Sequence, residues 1–217
     1  MIPQTLALLK EAGLALTDLQ AVVFGRGPGA FTGLRTACSV AQGLAFGADL
    51  PVLPIDTLLA VAEEARLSAE AAGDAPVTRV LAVMDARMEQ VYVAAYEFKP
   101  EPTQGTWRCV QAAELQAPET LHWPAGWAQD SFIAAGNAWP VYAGRWPVAL
   151  KVTQRMALPT AAALLRLAPA AWAAGQAVPP EEALPLYIRD KVAQTTDERM
   201  QIKAAQLAQA APTPNPL

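Results

Sequence analysis

The segment from Gly25 to Arg35, Gly-Arg-Gly-Pro-Gly-Ala-Phe-Thr-Gly-Leu-Arg, constrains the fold of this chain more than any other part of it. The apolar run 21–24 precedes this segment, and a helical pattern follows it. Glycine at this density indicates a backbone that takes a positive φ or that another group approaches closely. A strand leading through a glycine turn into a helix is typical of α/β proteins, which place ligands or partners at such turns.

Two known phosphate-binding patterns can be compared with this segment. The Walker pattern requires Lys followed by Ser or Thr at the start of the helix, where this chain has Leu and Arg. The dinucleotide fingerprint fits residues 25–30 in its relaxed form, with Asp56 as the acidic residue after the next strand. However, Asp56 lies further along the chain than the fingerprint requires, and a Pro-Gly pair occupies positions that should be helical. A Rossmann-type dehydrogenase is therefore the weakest functional hypothesis.

Periodicity predicts alternating helices and strands before residue 73. Apolar residues at helical spacing predict three helices, the first ended by Gly13 and the second capped by Thr32, at residues 2–12, 33–47 and 57–71. Short apolar runs predict strands at residues 20–24 and 51–56. This order predicts a partly parallel sheet.

The Gly-Asp-Ala-Pro sequence at 73–76 breaks this pattern and indicates a lobe boundary. We therefore predict a first lobe at 1–73, a second lobe at 74–199 and a disordered tail at 200–217. Within the second lobe the pattern predicts a strand covered on both faces, then a half-buried strand, and later an Ala/Leu-rich helix, at residues 80–84, 91–98 and 160–174. Tryptophans cluster between residues 107 and 146, where packing is a better explanation than ligand stacking.

Composition excludes several classes of site. With one histidine and two cysteines, the chain lacks the ligands of a Cys/His zinc site, and a Ser-His-Asp arrangement could use only His122. The net charge of −4, without a Lys/Arg cluster along the sequence, argues against tight independent binding to nucleic acid. Because the chain has neither a long apolar run nor a secretory signal pattern, we expect a cytoplasmic protein without a membrane partner.

Three separate blocks resemble, in the same order, the signature segments of the bacterial TsaB family. They are residues 27–35 continuing through 41–45, residues 85–92, and residues 180–189. The resemblance covers roughly residues 1–193. It implies an α/β chain with the actin-like, RNase H-like two-lobe fold of the superfamily that includes sugar kinases and acetate kinase.

The resemblance also implies a function. Members of the family are non-catalytic partners of the paralogous TsaD, which carries the metal and nucleotide site and transfers a threonylcarbamoyl group to the tRNA adenosine beside the anticodon. The ATPase TsaE joins the assembly, and the TsaB subunit can pair with itself when its partner is absent. For this chain we therefore expect no catalytic residue, metal or cofactor of its own, and contact with tRNA only through the complex. A nucleotide at the junction with the partner subunit is the one cofactor that stays open.

In this family the partner surface is a helix bundle of the first lobe, which corresponds here to the helices at 2–12 and 33–47. Apolar or small residues on more than one side of the second helix favour a shared surface. The alternative is that both helices only cover their own sheet. The expected interface residues are Leu6, Leu9, Leu34, Arg35, Ala37, Cys38, Ala41 and Gln42.

The glycine loop is interpreted as a structural turn that supports this interface rather than as a phosphate site. Its residues are Gly25, Gly27, Pro28, Gly29, Phe31, Thr32 and Gly33. The competing hypothesis is an ATP-binding enzyme of the actin-like kinase type, which would require metal-binding carboxylates and phosphate turns in both lobes. The charged residues Asp85, Arg87 and Glu89 fall in a predicted strand–strand turn and are assigned no catalytic role.

The chain departs from the family pattern at its start. Family members open with an apolar strand, an Asp-Thr-type turn and two further strands, whereas this sequence begins at the first predicted helix. We therefore expect the sheet of the first lobe to lack its central strands and to have an unpaired strand edge.

Overall fold

The structure, a computed structural model, describes residues 1–101 and 105–189. Its helices are α1 (Ile2–Ala12), α2 (Phe31–Gly47), α3 (Thr57–Ala71), α4 (Ala138–Val141) and α5 (Ala161–Ala173). Its strands are β1 (Val22–Gly27), β2 (Val52–Asp56), β3 (Arg79–Arg87), β4 (Gln90–Lys99), β5 (Thr106–Gln116), β6 (Ile133–Ala135) and β7 (Thr153–Arg155). The predicted tail at 200–217 lies outside the described residues.

The first sheet consists of β1 and β2, which run parallel with Val22 beside Val52. The partly parallel sheet predicted from the element order is therefore confirmed. Gly13 ends α1 in the left-handed conformation, with φ 68°, as predicted. The predicted cap of α2 is wrong, because the helix begins one residue before Thr32 and Ala30 occupies the N-cap position.

In the part of the chain that the structure describes, β1 pairs with β2 alone, as expected from the sequence. A mostly apolar cavity of about 750 Å³ adjoins β1 and reaches α5. Its walls include Val23 of β1, Leu44 of α2, and Leu164 and Trp172 of α5. The first lobe therefore leaves apolar surface uncovered beside its sheet.

The second sheet has the strand order β5-β4-β3-β6-β7. Strands β3, β4 and β5 pair antiparallel, whereas β6 and β7 continue the sheet in parallel beside β3. Strand β4 is buried on both faces from Val91 to Tyr96, so the half-buried pattern predicted for it is wrong. Helix α3 covers one face, and a cluster that contains Trp127 and Trp139 covers the other, which explains the tryptophan-rich segment by packing.

After β7 the chain returns to the first lobe. Helix α5 packs on α3 and against both β1 and β2, and Val178 forms an antiparallel bridge with Val52. Residues 161–189, which the sequence assigns to the second lobe, thus help to cover the first sheet, while the boundary at residue 73 stays a prediction. Within the two described ranges, every helix is too short or too polar to cross a bilayer.

Candidate functional site

The glycine loop is covered by residues 180–189 of the same chain, which we call the C-terminal segment. Gly27 ends β1 with φ +122°, and a Cβ placed there would lie only 2.6 Å from the carbonyl oxygen of Leu186. The Leu186 N–H donates to the carbonyl of Arg26 at 2.7 Å, and the Leu34 side chain closes the other side of Gly27. Glycine is required at position 27 because two backbone segments meet there.

The neighbouring polar groups are also used within the chain. Arg26 forms an ion pair with Asp56 at 2.6 Å, and the Gly27 N–H donates to Thr57 Oγ1 at 3.0 Å. Asp56, the residue expected to bind a ribose in a dinucleotide site, is thus an internal ion-pair partner. A dinucleotide would therefore find neither a free acidic residue for its ribose nor space beside the glycine turn, which argues against the dehydrogenase hypothesis.

The structure distributes the eight expected interface residues over three environments. Cys38 and Ala41 are buried against the first lobe's own sheet, together with Phe24 and Val52. Leu34 is buried beside Gly27 and Gly29 of the glycine loop. Burial removes these three residues from any surface that a partner could contact in this conformation. Leu6 and Arg35 are exposed, and the others are partly buried: Leu9, Ala37 and Gln42.

Two residues of this set also fix the C-terminal segment. The Cys38 thiol and the Gln42 side-chain amide both donate to the carbonyl oxygen of Ala183, each at 3.0 Å. Burial raises the pKa of the Cys38 thiol, which favours the neutral hydrogen-bond donor. The apolar stripe of α2 therefore packs with β1 and with Ala183 in one core.

The opposite face of α2 is exposed, and it contains some of the apolar or small residues outside the main stripe that favoured a shared surface. Ser39, Gly43 and Gly47 follow one another at helical spacing, and a Cβ at either glycine would meet no atom within 4 Å. Phe46 lies beside them with 79% of its surface exposed. Phe46 stands outside the apolar stripe, which the sequence already indicated, whereas its exposure is a property of the tertiary structure.

Helix α1 is also weakly covered. None of its residues is fully buried, and Leu6 and Leu8 are exposed. Thr5 of α1, Leu44 of α2 and Leu164 of α5 line the same cavity beside β1. We define the docking face as Ser39, Gly43 and Phe46, the exposed residues of α2 on this side.

The turn between β3 and β4 has an unusual backbone conformation. Residues 87–89 all have positive φ, between 52° and 61°, although none of them is glycine. Asp85 supports this turn because its carboxylate accepts hydrogen bonds from the Arg87 N–H and the Tyr142 hydroxyl, both at 2.8 Å. Asn137 accepts from the Asp85 N–H at 2.9 Å. Asp85 therefore has a structural role at this turn.

The hydrogen bond from the Tyr142 hydroxyl to Asp85 is expected to stabilise the hairpin in a pH-dependent way. Burial, followed by its hydrogen bond to Asp85, raises the pKa of Tyr142 to about 12. The pKa of Tyr142 is higher in the folded chain than in the unfolded chain. The stabilisation by its protonated hydroxyl is therefore complete below about pH 10 and is lost as the pH rises towards 12. We expect Tyr142→Phe to reduce the free energy of unfolding at pH 7 by about 1–3 kcal/mol.

Urea unfolding at pH 7, repeated as the pH is raised past 10, measures both effects. Tyr187→Phe is the matched control, since Tyr187 is an exposed tyrosine whose hydroxyl accepts from Arg35. If Tyr142→Phe and wild type had the same free energy of unfolding at pH 7, the hydrogen bond between Tyr142 and Asp85 would not stabilise the hairpin.

Comparison with known families gives consistent matches over most of the chain. The family model described as "TsaD: tRNA N6-adenosine threonylcarbamoyltransferase" matches residues 1–197. The "tRNA threonylcarbamoyladenosine biosynthesis protein TsaB" of Escherichia coli K12 is 34% identical over 199 residues, which cover 89% of this chain and 80% of that protein. The Haemophilus influenzae protein of the same name is 34% identical over 196 residues, covering 88% and 79%.

Solved structures agree with this result. YeaZ from Pseudomonas aeruginosa superimposes with a TM-score of 0.72 at 39% identity, covering 86% of this chain and 81% of the other. A second Pseudomonas aeruginosa structure, described as an uncharacterized protein with similarity to peptidase YEAZ, gives a TM-score of 0.73 at 39% identity, covering 87% and 82%. These similarities confirm the actin-like, RNase H-like α/β fold inferred from the sequence.

Proposed function

This chain belongs to the TsaB family, and we propose on that premise that it is a non-catalytic subunit that pairs with a TsaD-type transferase. The reaction it supports is the threonylcarbamoylation of the tRNA adenosine beside the anticodon. A TsaE-type ATPase completes the assembly, which acts in the cytoplasm. The same surface pairs two copies of this chain when the transferase is absent.

The exposed docking face is the observation that carries this proposal. Gly43 and Ser39 allow a partner helix to approach α2 closely, because no side chain of any size projects from these positions. Phe46 supplies apolar area beside them. Burial of each large apolar side chain contributes about 1.5–3 kcal/mol before the cost of association is subtracted.

The competing function is catalysis by this chain, since the matching family model carries the name of the transferase. The glycine loop does not favour it, because Leu186 and Leu34 occupy the space beside Gly27 where a phosphate would have to bind. Within residues 1–101 and 105–189, no three His, Cys, Asp or Glu side chains lie close enough together to hold a metal ion. Asp85 is already engaged by Tyr142 and Arg87. The same observations weaken the hypothesis of an ATP-binding kinase.

Reconstitution separates the two functions. Each mixture contains tRNA, ATP and an activated threonylcarbamoyl donor whose leaving group is released on transfer. Threonylcarbamoyl-adenosine in tRNA is measured with this chain alone, with the TsaD-type and TsaE-type subunits alone, and with all three. We expect modification only in the complete mixture, and a one-to-one complex of this chain with the transferase by gel filtration with light scattering. Modification by this chain without the transferase would refute the non-catalytic assignment.

A further inference from the structure

Three arginines that are far apart in the sequence meet where the glycine loop faces the β3–β4 hairpin. Arg87 and Arg189 line a small cavity of about 240 Å³ together with Phe31 and Tyr187. Arg35 joins them from the first turns of α2, with its guanidinium 3.7 Å from the centre of the Phe31 ring and its Nε–H donating to the Tyr187 hydroxyl at 2.9 Å. We call Arg35, Arg87 and Arg189 the arginine patch.

The positive charge of this patch is only weakly compensated. Among the residues that the structure describes, Arg35 and Arg189 have no carboxylate partner, since Arg189 donates to the carbonyls of Ala86 and Arg87. Arg87 lies 3.3 Å from Asp85, but 87% of its side chain is exposed. The hairpin's other carboxylate, Glu89, is taken by Arg145 of the second lobe. The patch is therefore positive on a chain whose net charge is −4.

The chemistry of the patch favours a ligand that carries both phosphates and flat rings. A guanidinium group presents a planar fork of N–H donors that matches a phosphate. The rings of Phe31 and Tyr187 are partly exposed and lie 5.6 Å apart between centres. Since Arg35 covers one face of Phe31, a base would stack on its other face or on Tyr187, in the way that single-stranded nucleic acids are bound. An acidic protein segment would use the arginines but would have no need of the rings.

We propose that the arginine patch contacts the RNA backbone of the tRNA substrate, with an unpaired base against Phe31 and Tyr187. This inference rests on the proposed function, which brings a tRNA to the complex. It changes the expectation that tRNA is met only through other subunits. The sequence did not reveal the patch, because the three arginines lie 52 and 102 residues apart along the chain.

The test compares Arg35→Ala, Arg87→Ala and the double variant with a control that removes the same charge elsewhere. The control is Lys99→Ala with Lys151→Ala, two exposed cations of the second lobe. Binding of a fluorescent tRNA anticodon stem–loop is measured over a series of salt concentrations, for the chain alone and for its complex with the transferase. Light scattering reports assembly of the complex, and circular dichroism reports folding of each variant.

We expect the double variant to bind the RNA at least about tenfold more weakly than the control at low salt. The slope of log K against log salt should fall by about 0.7–0.9 for each arginine that contacts a phosphate. Unchanged affinity and slope in a folded double variant would overturn the proposal. Loss of transferase binding in both single variants, with unchanged RNA binding by the chain alone, would overturn it in favour of an acidic protein partner. Failure of the proposed function has a different signature, because the wild-type chain would then not assemble with the transferase at all.

Discussion

Replacement of Phe46 by glutamate is expected to weaken binding of the transferase subunit by about 100-fold or more while leaving the fold intact. Phe46 is 79% exposed, so the folded chain loses almost no packing. In the complex the substitution removes an aromatic contact from the docking face and leaves a buried charge without a partner, which costs several kcal/mol. Isothermal calorimetry with the transferase subunit measures the affinity, and thermal unfolding measures the stability.

Val148→Glu is the matched control, because Val148 is an apolar residue of the second lobe that is 90% exposed. We expect this variant to bind as wild type does. Equal affinity of the two variants would remove Phe46 from the interface and with it the docking face as defined. Substitution of Leu34 or Ala41, which the sequence analysis placed in the interface, would not decide the question, since both are buried and a bulky or charged replacement disturbs the fold itself.

Gly27→Ala is expected to reduce the free energy of unfolding by about 3 kcal/mol or more. The backbone at Gly27 has φ +122°, a region that residues with a Cβ rarely adopt. The added methyl group would also meet the Leu186 carbonyl oxygen at 2.6 Å, so the C-terminal segment would have to move away from the glycine loop. Urea unfolding followed by far-ultraviolet circular dichroism measures the loss.

Gly33→Ala is the control within the same loop sequence. Gly33 lies in the first turn of α2, and a Cβ there would have its nearest neighbour at 3.9 Å. Because alanine favours a helix more than glycine does, we expect this change to leave the stability equal or to raise it by up to about 1 kcal/mol. If both variants unfolded at the same urea concentration as wild type, the close approach of Leu186 to Gly27 would not matter in solution.

Local elements could be predicted from the sequence because their signals are short-range. The bounds of α1 and α3 agree with the predicted helices at 2–12 and 57–71, since helical spacing and an end such as Gly13 are contained within a few turns of chain. The burial of β4 was not predictable in the same way. Helix α3 covers one face of β4, and a tryptophan cluster from the chain after β5 covers the other. The alternation of residue types along one strand does not indicate what packs on each face.

The candidate site, too, could be predicted only in part from the sequence. An apolar stripe on α2 was visible in the sequence, but the sequence did not indicate what covers it. In the structure Leu34, Cys38 and Ala41 face the chain's own core, while Phe46 on the other side is exposed. The glycine loop was visible too, but its contact with Leu186, 159 residues further along the chain, was not.

The sequence by itself determined the family, the order of helices and strands, and the position of the glycine turn, because these depend on residue types at short spacing. Only the tertiary structure decided which face of α2 is free, why Gly27 must be glycine, and that Arg35, Arg87 and Arg189 form one positive patch. Each of these depends on contacts between residues distant in the chain. Such contacts are set by packing of the whole fold, and no local pattern records them.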